Sequence, residues 1–81
     1  MYLDIKYDTK AQKAWLDGSN FCFLLDNGLE IRFGIEKNKK LSKATTEELL
    51  DFELICDGTG IHWEKLDEDL SIDGIMDGRF G

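Results

Sequence analysis

Phe21-Cys-Phe-Leu-Leu25-Asp-Asn-Gly28-Leu29-Glu-Ile-Arg-Phe33-Gly-Ile35 decides the fold. Two apolar runs flank Asp26-Asn27-Gly28, and Asn-Gly between such runs marks a β-hairpin. A two-residue Asn27-Gly28 loop would pair Asp26 with Leu29 and split the apolar side chains between the two faces. A three-residue loop with Gly28 in the left-handed region pairs Leu25 with Leu29, Phe23 with Ile31 and Phe21 with Phe33. Six large apolar side chains then share one face, while Glu30 and Arg32 point to water. A slip of one residue flips the whole set, so burial selects the three-residue loop.

Upstream, Tyr2 to Tyr7 alternates Leu3, Ile5 and Tyr7 against Asp4 and Lys6, the pattern of a half-buried strand. Ala11 to Leu16 is a weaker strand candidate, with a short helix as its alternative, and Asp17-Gly18-Ser19-Asn20 closes it as a turn. Downstream, Lys37, Lys39, Lys40 and Lys43 surround Asn38 and Leu41 in a segment that reads as a solvated connecting loop. Thr45 with Glu48 three residues on has capping-box spacing, and Glu47 and Glu48 suit the positive end of a helix dipole. Leu49, Leu50, Phe52 and Leu54 give that helix an apolar side, which places it at about residues 46–55. Asp57-Gly58-Thr59-Gly60 stops it and turns the chain into an extended Ile61-His62-Trp63. Ser71 then caps a short final turn carrying Ile72, Ile75 and Met76, weakened by Gly74 and Gly78. The expected class is α+β. A small antiparallel sheet of three to four strands, with the 21–35 hairpin at its centre, packs with one main helix and a short C-terminal helical turn.

The chain has 81 residues, enough for a single domain over 1–81 and one thin core. A hydrophobic fraction of 42% and an aromatic fraction of 11% are too high for a disordered chain. No apolar run approaches the ~18–20 residues of a membrane span. Residues 1–20 are too polar for a signal-peptide core, so a cytoplasmic protein is expected. Cys22 and Cys56 stand alone, which suits two reduced, buried thiols. The net charge of −7 is uneven. Residues 1–46 carry eight Lys/Arg and six Asp/Glu, giving +2, whereas residues 47–81 carry two and eleven, giving −9. An acidic C-terminal half repels phosphate backbones and suits a basic partner or simple solubility.

Three pieces of chemistry suggest themselves in Gly58 to Asp77, and each lacks a residue. Asp69, Ser71, Asp73, Gly74 and Asp77 match the early positions of a calcium-binding EF-hand loop, but Phe80 stands where the bidentate glutamate belongs. Gly58 and Gly60 begin a dinucleotide fingerprint whose third glycine is replaced by Trp63, in a helix-to-strand context that cannot cradle phosphate. His62 is the only imidazole, and no nucleophile motif surrounds Ser19, Ser42, Ser71, Cys22 or Cys56. Alternation places Ile61 and Trp63 on one face of this segment and His62 on the other. No cofactor and no metal ligand set is expected. Gly58, Gly60 and Trp63 read as structural, with Ile61, Trp63 and Leu66 packing under the hairpin.

Gly60-Ile-His-Trp-Glu-Lys-Leu-Asp-Glu-Asp-Leu-Ser-Ile-Asp-Gly-Ile75 resembles the tail motif of the bacterial domain-of-unknown-function family 2442. Asp26-Asn27-Gly28, Leu41, Ala44-Thr45, Phe52-Glu53 and Gly58 match as well, so the resemblance spans about residues 11–78. The chain departs from the pattern in Gly34 to Asn38, where a proline and aromatics are usual. Glu64 replaces a common proline and Phe52 a common tryptophan. The resemblance implies a small α+β protein without assigned enzyme activity. Many members are encoded beside another small uncharacterised protein in a toxin–antitoxin-like arrangement, and some carry a further C-terminal helix-turn-helix domain.

These observations lead to a non-enzymatic protein-interaction module, antitoxin-like or inhibitory, whose acidic C-terminal half binds a basic partner such as a neighbouring gene product. Its candidate contact residues are His62, Glu64, Asp67, Glu68 and Asp69. One alternative is a nucleic-acid-associated regulator using Lys37 to Lys43, disfavoured because four lysines lack interleaved aromatics or arginines. The other is a small-ligand-binding or hydrolytic protein using His62 with Asp67 or Asp69. No membrane partner is expected, and association into a homo-oligomer stays open.

Overall fold

A computed structural model describes residues 9–81, and the expected Tyr2–Tyr7 strand lies outside the described residues. The hairpin joins β2 (Asn20–Leu25) to β3 (Glu30–Gly34). Its register pairs Phe21 with Phe33 and Phe23 with Ile31. Leu25 N–H donates to Leu29 O at 2.8 Å and Gly28 N–H to Leu25 O at 3.0 Å, closing the three-residue loop. Gly28 sits at φ +91°, which only glycine adopts without strain. Phe21, Phe23, Leu25 and Phe33 are buried, whereas Leu29, at the hairpin tip, is 60% exposed. Antiparallel β1 (Ala11–Asp17) flanks β2 with Ala14 opposite Phe23 and Leu16 opposite Phe21, so the first sheet runs β1-β2-β3.

The segment after β3 is ordered rather than a solvated loop. A 3-10 turn over Ile35–Lys37 leads through Asn38 into α1 (Lys39–Ser42). Asn38 Oδ1 caps α1 by accepting from Leu41 N–H at 2.9 Å, and Leu41 is fully buried. Its four lysines stay outside while Ile35, Asn38 and Leu41 turn inward.

The capping box forms as its spacing requires. Glu48 N–H donates to Thr45 Oγ1 at 3.1 Å and Thr45 N–H to Glu48 Oε1 at 2.9 Å. The helix it opens, however, is α2 (Thr46–Leu50), half the expected length, and Phe52–Ile55 is strand β4. Phe52 and Leu54 alternate, and each finds a cross-strand partner, Trp63 and Ile61, on β5 (Gly60–Trp63). A helix through Ile55 would forfeit that ladder, so pairing overrides local helix propensity. Leu50, the residue meant to extend the helix face, is 56% exposed.

Strand β6 (Glu68–Ser71) completes a second sheet in the order β4-β5-β6, so the class is α+β, and the described residues form two three-stranded antiparallel sheets where the sequence predicts one small sheet. A 3-10 turn over Glu64–Leu66 links β5 to β6, with Asp67 at φ +51° reversing the chain. Ser71 Oγ accepts from Gly74 N–H at 2.9 Å and starts α3 (Ile72–Met76), which buries Ile72 and Ile75. The core lies between the sheets. Phe21 meets Phe52 at 5.4 Å and Trp63 at 5.1 Å, both edge-on, and Phe33 stacks on Phe80 at 5.2 Å. Cys22 is buried and Cys56 is exposed, because Cys56 belongs to the β4–β5 turn, at φ +53°.

Candidate functional site

The outer face of the second sheet is built by the same alternation that fills the core. In β5, Ile61 and Trp63 are fully buried, so His62 must point away from the core. Its cross-strand neighbours are Glu53 on β4 and Asp69 on β6, which makes a row Glu53–His62–Asp69 across three strands. Directly opposed side chains in such a row lie close enough to interact. Asp69 Oδ1 is 2.6 Å from His62 Nδ1. Glu64, two residues beyond His62 in the 3-10 turn, brings Oε1 to 3.0 Å from Nε2.

An imidazolium can donate from both nitrogens, whereas a neutral ring can serve only one of the two carboxylates. The His62 pKa is therefore raised, first by its hydrogen bond to Asp69 and then by that to Glu64, with a smaller opposing effect from burial. The His62 side chain is 23% exposed, against 65% for Asp69 and 81% for Glu64. Beside the row, Lys65 Nζ lies 4.0 Å from Asp51 Oδ2.

His62, Glu64 and Asp69 thus come together, and the other two candidates do not join them. Asp67 holds the left-handed turn, and its carbonyl accepts from Lys40 Nζ at 2.8 Å. Glu68 pairs with Trp63 on the inward side, where its Oε2 accepts from Asn38 Nδ2 at 2.6 Å. Trp63 is buried and its indole N–H donates to Leu49 O at 3.2 Å. Gly58 stands at φ +90°, where a Cβ would fall 2.7 Å from Ala11 O. Gly60 is buried beneath Ile55 and Leu70 O.

Two residues escaped the sequence reading. Glu53 falls within the helix that the sequence predicts over 46–55, and the Phe52/Leu54 alternation is the signal of its strand. Asn38 is 2% exposed and bridges Glu68, the Phe80 carbonyl and Leu41 N–H. Its signal was an N-cap residue three positions before the lone apolar side chain of a basic run.

Of the residues offered for a ligand-binding or hydrolytic role, Asp69 meets His62, whereas Asp67 lies apart in the left-handed turn. Both ring nitrogens face carboxylates and the cluster lies on an open sheet face. Surface hollows lie elsewhere, one lined by Thr9, Asp73, Met76, Asp77 and Arg79, another by Ile31, Arg32, Ile75, Met76 and Phe80. Among the described residues no group of three or more His, Cys, Asp or Glu is arranged to hold a metal ion. The EF-hand spacing is taken up by β6 and the Ser71 cap, with Asp73 Oδ1 accepting from Thr9 N–H at 3.3 Å. Lys37, Lys39, Lys40 and Lys43 are all exposed around α1. No helix among the described residues is long and apolar enough to cross a membrane.

Fold and site together define a class: a small α+β domain of two three-stranded sheets, the second carrying an acidic outer row centred on one histidine. The chain belongs to the family described as Protein of unknown function (DUF2442), whose model matches residues 15–81. It is similar to the crystal structure of a protein of unknown function from Rhodospirillum rubrum, with a TM-score of 0.83 and 36% identity, covering 90% of each chain. It is also similar to the solution structure of an uncharacterized protein from Chromobacterium violaceum, with a TM-score of 0.77 and 28% identity, covering 89% of this chain and 68% of that one. No curated protein matches the chain.

Proposed function

We propose that this chain is a non-enzymatic protein-interaction module that engages a basic protein partner through the outer face of its second sheet, in the manner of an antitoxin-like or inhibitory subunit. The observation that carries the reading is the row Glu53–His62–Asp69 with Glu64 at its end, three carboxylates around one imidazole on an open face. Among the described residues, the ion-pair partner of Glu64 and of Asp69 is the His62 ring, and Glu53 has none, so a Lys or Arg side chain reaching this row meets carboxylates able to take a further cation. Complementary charge of this kind speeds encounter and selects partners more than it deepens affinity. The toxin–antitoxin-like gene arrangement implied by the family resemblance points to the neighbouring gene product as the partner to try.

The test is binding of the purified chain to that product, at low and at high salt, for the wild type and for the triple variant Glu53→Gln, Glu64→Gln, Asp69→Asn. The expected result is salt-sensitive binding that the triple variant weakens about tenfold or more. Absence of binding at low salt, or binding that ignores both salt and the triple variant, overturns the reading.

A further inference from the structure

The outer edge of β3 is a second surface, away from the acidic row. Strand order leaves β3 terminal in its sheet, and among the described residues no strand pairs with its far side. The peptide groups of odd-numbered residues in β3 point to β2, as the Leu25–Leu29 and Ile35–Ser19 backbone bonds at its two ends show. By alternation the peptide groups of Glu30 and Arg32 therefore point outward, free to extend the ladder. The sequence along this edge, Leu29-Glu30-Ile31-Arg32-Phe33, is self-complementary when read against itself antiparallel. With Ile31 on a twofold axis, Glu30 of each copy faces Arg32 of the other. Leu29 then faces Phe33 of the second copy.

We propose that β3 pairs with β3 of a second copy about an axis through Ile31, joining two three-stranded sheets into one of six strands. The backbone parity fits: Glu30 and Arg32 form the two hydrogen-bonded pairs, and Ile31 with its twin the close, non-hydrogen-bonded pair between them. Charge fits as well. Among the described residues Arg32 holds only a long 3.7 Å contact to Asp17, with its side chain 55% exposed, and Glu30 makes no ion pair. Apolar surface is also waiting at this edge. Leu29 and Met76 are 60% and 53% exposed, and a groove of about 310 Å³ lined by Ile31, Arg32, Ile75, Met76 and Phe80 borders the strand. A C2 interface of this kind is closed, so it stops at the dimer.

Sedimentation velocity on the full 81-residue chain across concentration tests this, with Glu30→Arg, Arg32→Glu and the double swap alongside. The wild type is expected to dimerise. Each single variant places like charges opposite each other twice and weakens the dimer roughly tenfold or more. The double swap restores it, as does mixing the two single variants. All three retain the wild-type circular dichroism spectrum, because both side chains face water. Amide hydrogen exchange gives an independent readout: Glu30 and Arg32 N–H gain protection as concentration rises, while Ile31 N–H, already bonded to β2, does not. A wild type that stays monomeric at high micromolar concentration, or single variants that dimerise as well as the wild type, overturns the proposal.

Discussion

The Trp63 indole meets the Phe21 ring edge-on, with 5.1 Å between centroids and 85° between planes. That contact ties the second sheet to the hairpin of the first, and the indole N–H adds a tie to α2 through Leu49 O. Truncating Trp63 to alanine removes the ring from a site of zero exposure and leaves a cavity between the sheets. Trp63→Ala is expected to cost about 3–5 kcal/mol, most of the margin of a domain this small. Urea denaturation followed by circular dichroism measures it. Trp63→Phe, which keeps the edge-on contact but not the N–H, should lose clearly less.

The turn between β4 and β5 gives a second prediction. Cys56, Asp57 and Gly58 all carry positive φ, and only Gly58 has no Cβ to place. Gly58→Ala combines left-handed strain with a contact 2.7 Å from the Ala11 carbonyl, which cannot swing aside as a side chain would. The expected loss is about 1–3 kcal/mol. An alanine variant as stable as the wild type in urea would show that β1 and this turn do not pack as described.

How much of this was legible beforehand varies by element, and for physical reasons. Hairpin register was readable because Asn27-Gly28 restricts the turn and one parity of each flanking run, Phe21/Phe23/Leu25 and Leu29/Ile31/Phe33, is wholly apolar. The outward face of His62 followed from the same two-residue period. Strand β4 was hidden because Leu49, Leu50, Phe52 and Leu54 suit a helix face as well as an alternating strand, and only the partner strand β5 decides between them. Helix α1 has four residues, too few to show a period. The His62 cluster depends on the 3-10 turn and the left-handed Asp67 that fold β6 back, so Asp69 could not be singled out from Asp67 and Glu68 by sequence position.

His62 supplies a pH prediction whose sign follows from its partners. Its folded-state pKa is raised above the ordinary value of 6.5 by Asp69 first and Glu64 second. The folded state therefore holds the proton more tightly than the unfolded chain. Its stabilising contribution is complete below pH 6.5 and fades as pH rises through the folded pKa. Urea midpoints for His62→Gln should fall below wild type at acidic pH and converge with it at alkaline pH. Imidazole titration by NMR should show Asp69→Asn lowering the His62 pKa more than Glu64→Gln does. Equal effects would mean that the two carboxylates share the proton evenly.

Asn38 offers the sharpest contrast between two substitutions at one site. Its amide N–H₂ serves both Glu68 and the Phe80 carbonyl, while its oxygen caps α1 through Leu41 N–H. Asn38→Ala removes the partner of the buried Leu41 N–H and of the part-buried Glu68 and Phe80 oxygens, and a buried polar group left unpaired costs about 1–3 kcal/mol. Asn38→Asp keeps the cap on Leu41 but sets a second carboxylate against Glu68, whose oxygen lies 2.6 Å from the amide nitrogen it replaces. Two carboxylates at that distance cannot both ionise, so one must take up a proton on folding. The unfolded chain has no such requirement. Asn38→Asp should therefore lie well below wild type in urea at neutral pH and recover toward it as the solution is acidified to about pH 5, while Asn38→Ala shows no such recovery. Parallel pH profiles for the two variants would mean that Glu68 does not face position 38.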